Sequence, residues 1–128
     1  MKTLIIYLFL FALIVLQKPV PKKYEIIKLE KDSEGLVNHL DVYVPIMVNI
    51  KSINNLLFAQ YKKAGTMTLQ IYYYDNKQIA RIYVTKLGDK YTTDDEAEMM
   101  SRHVTGKFEY LRLQNSTKLH IGKGADNY

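Results

Sequence analysis

Thirteen consecutive apolar residues, Leu4 to Leu16, constrain this chain more than any other feature. They lie in a run of fifteen uncharged residues, Thr3 to Gln17, bracketed by Lys2 and Lys18. A helix there is apolar on every side, and the 111 residues that follow have too little interior to surround it. Residues 1–17 are therefore expected to be a signal peptide or membrane anchor, an N-terminal hydrophobic helix set apart from the globular body. At ~1.5 Å per residue the fifteen-residue uncharged run reaches roughly 22 Å, short of a ~30 Å bilayer core, which suits a signal-type segment. Val15-Leu16-Gln17 and Lys18-Pro19-Val20 lack the small residues that signal peptidase requires, so an uncleaved anchor or an inefficiently processed peptide is expected.

The chain has no cysteine, which excludes a lipidated N-terminus, a disulfide framework and a thiolate metal site. The expected location is the cell envelope, membrane-anchored or secreted, with the domain outside the cytoplasm. Lys18, Lys22, Lys23 and Lys28 follow the apolar run and favour the opposite orientation by the positive-inside rule. Residues 18–23 hold two prolines, Pro19 and Pro21, and read as a linker.

From Tyr24 the pattern changes to that of a folded domain over residues 24–121. Tyr24–Leu29 and Leu36–Val44 have the composition of strands, and Leu40, Val42 and Val44 alternate with His39, Asp41 and Tyr43. Ile50, Ile53, Leu57, Tyr61 and Ala64 recur at helical spacing, which predicts a helix over Asn49–Lys63 closed by Gly65. Thr66–Tyr74 is rich in β-branched and aromatic residues, with Met67, Leu69, Ile71 and Tyr73 on one face and Thr68, Gln70, Tyr72 and Tyr74 on the other. Asp75-Asn76-Lys77 reads as a hairpin loop with Asn76 at positive φ, returning as a strand over Gln78–Thr85.

Leu87–Lys90 is a turn, and Thr93-Asp94-Asp95-Glu96 matches a capping box. The helix it starts carries Ala97, Met100 and Val104 inward and is closed by Gly106. Lys107–Leu113 and Thr117–Ile121 read as strands around an Asn115-Ser116 turn, and residues 122–128 as a flexible tail. The expected fold class is α+β: a mainly antiparallel sheet of about six strands in ββαββαββ order, with two helices over one face.

The Tyr24–Tyr83 stretch, with Tyr72-Tyr73-Tyr74-Asp75 before the hairpin, loosely resembles small bacterial α+β domains of unknown function located behind a signal peptide or membrane anchor. The resemblance implies a location and a fold class. It carries over no functional residues, since none are established for such domains.

Catalytic signatures are absent: the six glycines are scattered, and neither HExxH nor GxSxG occurs. His39, His103 and His120 lie far apart, so neither a metal nor another cofactor is expected. His39 and Asp41 share one strand face, a spacing that lets a carboxylate orient an imidazole. Asp94-Asp95-Glu96 is explained by helix capping alone.

Tyrosine is abundant, with eleven in the chain. Tyr43, Tyr72, Tyr74 and Tyr83 are expected on the face opposite the core, with His39, Asp41, Gln70 and Arg81 between them. Such an aromatic and polar face suits a binding partner, because tyrosine offers contact area at little entropic cost. Its structural alternative is that cross-strand pairing or a covering helix uses up the rings. The net charge of +5 comes from dispersed lysines, and no glycine–aromatic RNP motif occurs, so nucleic acid is not expected as a partner.

The expected function is a non-enzymatic binding domain, reaching the membrane through residues 1–17 and contacting a protein or envelope component. A small hydrolase-like enzyme using His39 and Asp41 is one alternative. An inhibitor or immunity-type protein with a single protein target is another.

Overall fold

Alternation gives each strand two unlike faces, and the register of the sheet adds those faces together. The computed structural model describes residues 23–86 and 93–128. Among them are five strands laid side by side in chain order: β1 (Glu25–Lys31), β2 (Val37–Tyr43), β3 (Thr68–Tyr74), β4 (Val104–Leu111) and β5 (Ser116–Ile121). Three α-helices, α1 (Ile50–Tyr61), α2 (Lys77–Lys86) and α3 (Asp94–Ser101), and a short 3-10 turn at Ala125–Asn127 complete them. The β2–β3 pair is parallel and bridged by α1, while the other three pairings are antiparallel. The class is α+β, with a mixed sheet. The expected N-terminal hydrophobic helix, the linker over 18–22 and the turn at Leu87–Lys90 lie outside the described residues. Among the described residues no helix is long and apolar enough to cross a membrane.

One face of the sheet buries Leu40, Val42, Leu69, Ile71, Tyr73, Phe108 and Tyr110 under α1, which contributes Ile53 and Leu57. The helix begins where the sequence places it. Asn49 is the N-cap, and its side-chain oxygen accepts from the N–H groups of Lys51 at 2.9 Å and Ser52 at 3.4 Å. It ends earlier than expected, at Tyr61, so Ala64 lies exposed beyond it. Gly65 does not close it. A Cβ there would meet Leu36 Cδ1 at 3.0 Å, the tip of a side chain at the entry to β2.

The expected hairpin after Asp75 is the clearest difference. Asn76 caps a helix instead, accepting from the Ile79 N–H at 3.0 Å, and residues 77–86 form α2. Ala80, Ile82 and Val84 alternate as a strand would, but Ala80 and Tyr83 also fall at helical spacing. In the structure those two are buried, while Ile82 is 41% exposed. The second cluster that results joins Tyr74, Ala80, Tyr83, Met100, Val104 and Ala125 on the opposite face of the sheet. Helices therefore cover both faces, not one.

Two further expectations change. Thr93 does cap α3, accepting from the Glu96 N–H at 3.2 Å, and Met100 is buried as expected. Gly106, however, lies within β4, and Val104 is the first residue of that strand. A Cβ at Gly106 would meet Tyr73 Cδ2 at 3.0 Å and Ile50 Cγ2 at 3.3 Å. Gly106→Val is expected to cost about 1–3 kcal/mol by overpacking, read as a drop in melting temperature. Residues 122–128, expected to fray, are tied down: Ala125 is buried and Asp126 accepts from Tyr83 Oη at 2.8 Å and Ser101 Oγ at 2.6 Å.

Candidate functional site

The sheet face opposite α1 is polar along its open half. In register across all five strands run Glu30, His39, Gln70, Glu109 and Lys118, and beside them Lys28, Asp41, Tyr72, Lys107 and His120. Each residue is there because period-two alternation turns it away from the α1 core. Where α2 meets these rows, a cleft of about 290 Å³ opens, lined in part by Lys28, Glu30, His39, Asp41, Gln70 and Tyr72.

His39 and Asp41 form its polar centre. His39 Nε2 lies 2.9 Å from Asp41 Oδ2, and Nδ1 lies 3.1 Å from Gln70 Oε1. Gln70 is oriented by its own amide N–H, which donates to Glu109 Oε1 at 3.4 Å, so its carbonyl faces the ring. Both imidazole nitrogens thus meet acceptors, an arrangement that suits the imidazolium. Burial opposes that charge, but the Asp41 hydrogen bond and charge, helped by Gln70, outweigh it and raise the His39 pKa above its usual value. The Tyr72 ring meets His39 edge-on, with centroids 5.3 Å apart. The other oxygen of Asp41, Oδ1, accepts from Tyr74 Oη at 2.6 Å.

The expected platform is thus divided. Tyr74, Tyr83 and Asp41 are buried, because α2 lies over that part of the sheet. Tyr83 packs on Tyr74 with centroids 5.7 Å apart. His39 and Tyr72 are partly buried and line the cleft. Tyr43 shares their face but lines a separate hollow with Tyr24, Glu25 and Pro45. Arg81 sits on the outer side of α2, and the carboxylate it meets is Glu25, at 3.6 Å.

Lys28, Glu30, Lys107 and Glu109 join the site without standing among the residues expected there. Their signal is a repeated Lys-x-Glu on β1 and β4, which sets cation and anion on one strand face. Lys28 meets Glu30 at 2.9 Å and Lys107 meets Glu109 at 3.5 Å. Asp126, which holds Tyr83, gave no signal.

The cleft thus presents fixed donors and acceptors of both signs. Among its lining residues none carries an aliphatic hydroxyl or a thiol, and no ring nitrogen of His39 is left free to accept a proton. Among the described residues no three His, Asp or Glu side chains are grouped to hold a metal ion. No protein-family model, curated protein or solved structure matches this chain.

Proposed function

We propose that this protein is a non-enzymatic binding domain held at the cell envelope by residues 1–17, taking a protein or envelope partner into the open half of its polar sheet face. The observation that carries this reading is the cleft at His39. There, ion pairs and a histidine hydrogen-bonded at both nitrogens are fixed by neighbouring strands at the margin of α2, with Lys28, Glu30, His39 and Tyr72 still reaching solvent. Groups held this way recognise a complementary polar surface without reorganising. Tyr72 supplies a partly buried aromatic ring of the kind such contacts favour.

The second reading is a small hydrolase in which His39 takes a proton with Asp41 behind it. A cleft around His39 favours it. The commitment of both ring nitrogens, and a lining without an aliphatic hydroxyl or thiol, weigh against it.

A photo-crosslinking amino acid at Tyr72 tests the binding reading in cells. One discrete crosslinked product is expected, lost when Lys28→Ala and His39→Gln are added. The same group at Leu113, 85% exposed at the far end of β4, is the control. Equal products at both positions, or none at Tyr72, would refute the site.

A further inference from the structure

The described chain starts at Lys23, and Tyr24 lies in the hollow with Tyr43 and Pro45, where β2 ends. The first described residues therefore stand at that end of the domain. At the same end the loop after β2 exposes two adjacent apolar side chains, Ile46 at 82% and Met47 at 95%. Ile121, 59% exposed, joins them at the end of β5, in the row that runs through Ile26, Val42, Tyr73 and Gly106. The loop is held, not frayed: the Val48 N–H donates to the Pro45 carbonyl at 2.9 Å, and the Val44 N–H to the Tyr74 carbonyl at 2.9 Å. Between loop and β5 lies an apolar cleft of about 250 Å³, lined in part by Val44, Ile46, Val48, Ile50 and Ile121.

We propose that this end of the domain rests on a lipid surface, with Ile46 and Met47 dipping into the headgroup boundary. The proposal rests on the reading that residues 1–17 enter the membrane. Only residues 18–22 separate Gln17 from Lys23. Five residues span at most about 18 Å when extended, so the loop is kept close to the bilayer. Fixed apolar tips ringed by cations are what an interface takes up. Lys23 begins the described chain at this end, Lys123 lines the cleft, and Lys51 is exposed in the first turn of α1; the sequence adds Lys18 and Lys22 just before Lys23. The acids at this end are already paired, Asp75 with His103 at 2.8 Å and Glu25 with Lys77 at 2.6 Å.

Other occupants fit less well. A cleft of about 250 Å³ takes one or two side chains, not the thirteen of Leu4–Leu16. A second copy needs roughly 800 Å² from each partner, more than three exposed side chains offer.

The chain has no cysteine, so Met47→Cys and Leu113→Cys each create a unique labelling site. The full chain is incorporated into phosphatidylcholine vesicles with and without phosphatidylglycerol, and a fluorophore at each site is challenged with lipid-attached quenchers. Quenching at Met47→Cys is expected to exceed that at Leu113→Cys by roughly threefold, and to rise with the anionic lipid. Vesicles that float with the protein but leave Met47→Cys unquenched overturn the loop contact and spare the anchor. Protein that does not float overturns both. A label unquenched by lipid yet shielded from aqueous iodide assigns the surface to residues 1–17 or to a second copy, and overturns the proposal.

Discussion

Asp41→Ala is expected to lower the stability of the domain by about 3–5 kcal/mol, the range for removing one partner of a buried charge pair. Asp41 is 4% exposed and accepts from two elements at once, Tyr74 Oη at 2.6 Å and His39 Nε2 at 2.9 Å. Alanine leaves the Tyr74 hydroxyl buried with no acceptor, which alone costs about 1–3 kcal/mol. It also strips His39 of the carboxylate that sustains its charge. Urea unfolding of the full chain in mild detergent reads the loss as a lower midpoint at unchanged slope. A loss under about 1 kcal/mol would show that water replaces the carboxylate and that the network is not structural.

The same network gives a pH dependence whose sign is fixed. His39 has a pKa raised in the folded state, so the folded chain holds its proton more tightly than the unfolded one. The stability this contributes is fully present below the unfolded value of ~6.5 and is lost as pH rises through the folded value. The stability gap between the parent chain and His39→Gln should therefore narrow as pH rises through neutrality. A gap independent of pH would mean that His39 is neutral in the fold.

Much of this site was legible from alternation alone. Period two on β2 and β3 sets His39, Asp41, Gln70, Tyr72 and Tyr74 on one face, and the register confirms it residue by residue. What alternation cannot carry is pairing. Nothing local distinguishes a parallel β2–β3 pair from an antiparallel one, and it is this pairing that aligns His39 with Gln70 and Asp41 with Tyr72.

The error at Gln78–Thr85 has a similar origin. A short segment holding Ile79, Ala80, Ile82, Tyr83 and Val84 fits both periods. Asn76 serves equally as a turn residue and as a helix N-cap. The choice is made by tertiary burial, since only the helix brings Tyr83 over Tyr74 and onto Asp126. That choice turned an expected tyrosine platform into a covered core with a polar cleft beside it. Of the tyrosines that alternation points away from the core, Tyr43, Tyr72 and Tyr74 do lie on that sheet face, Tyr74 on its buried half, whereas Tyr83 belongs to α2, the helix that covers it.

Burial of those rings has the second large consequence. Above about pH 10 the domain is expected to lose up to ~4 kcal/mol of stability for each further pH unit. Tyr73, Tyr74 and Tyr83 are each shifted well above the usual phenol range, first by burial, and for Tyr74 and Tyr83 also by the carboxylates of Asp41 and Asp126. The folded chain thus keeps three phenolic protons that the unfolded chain releases near pH ~10, and each proton contributes about 1.4 kcal/mol per pH unit. The sign follows directly: the unfolded state binds fewer protons, so stability falls as pH rises. A domain of ordinary stability, ~5–15 kcal/mol, would unfold roughly one to four units above pH ~10. Tyrosinate absorbance should then show exposed rings titrating first, followed by a cooperative step coincident with loss of the circular-dichroism signal. Tyr83→Phe should flatten the slope by about a third, because one of three retained protons is gone. A smooth titration of every tyrosine near pH ~10 with the fold intact would show that these rings are open to solvent, and with them the part of the sheet face that α2 covers.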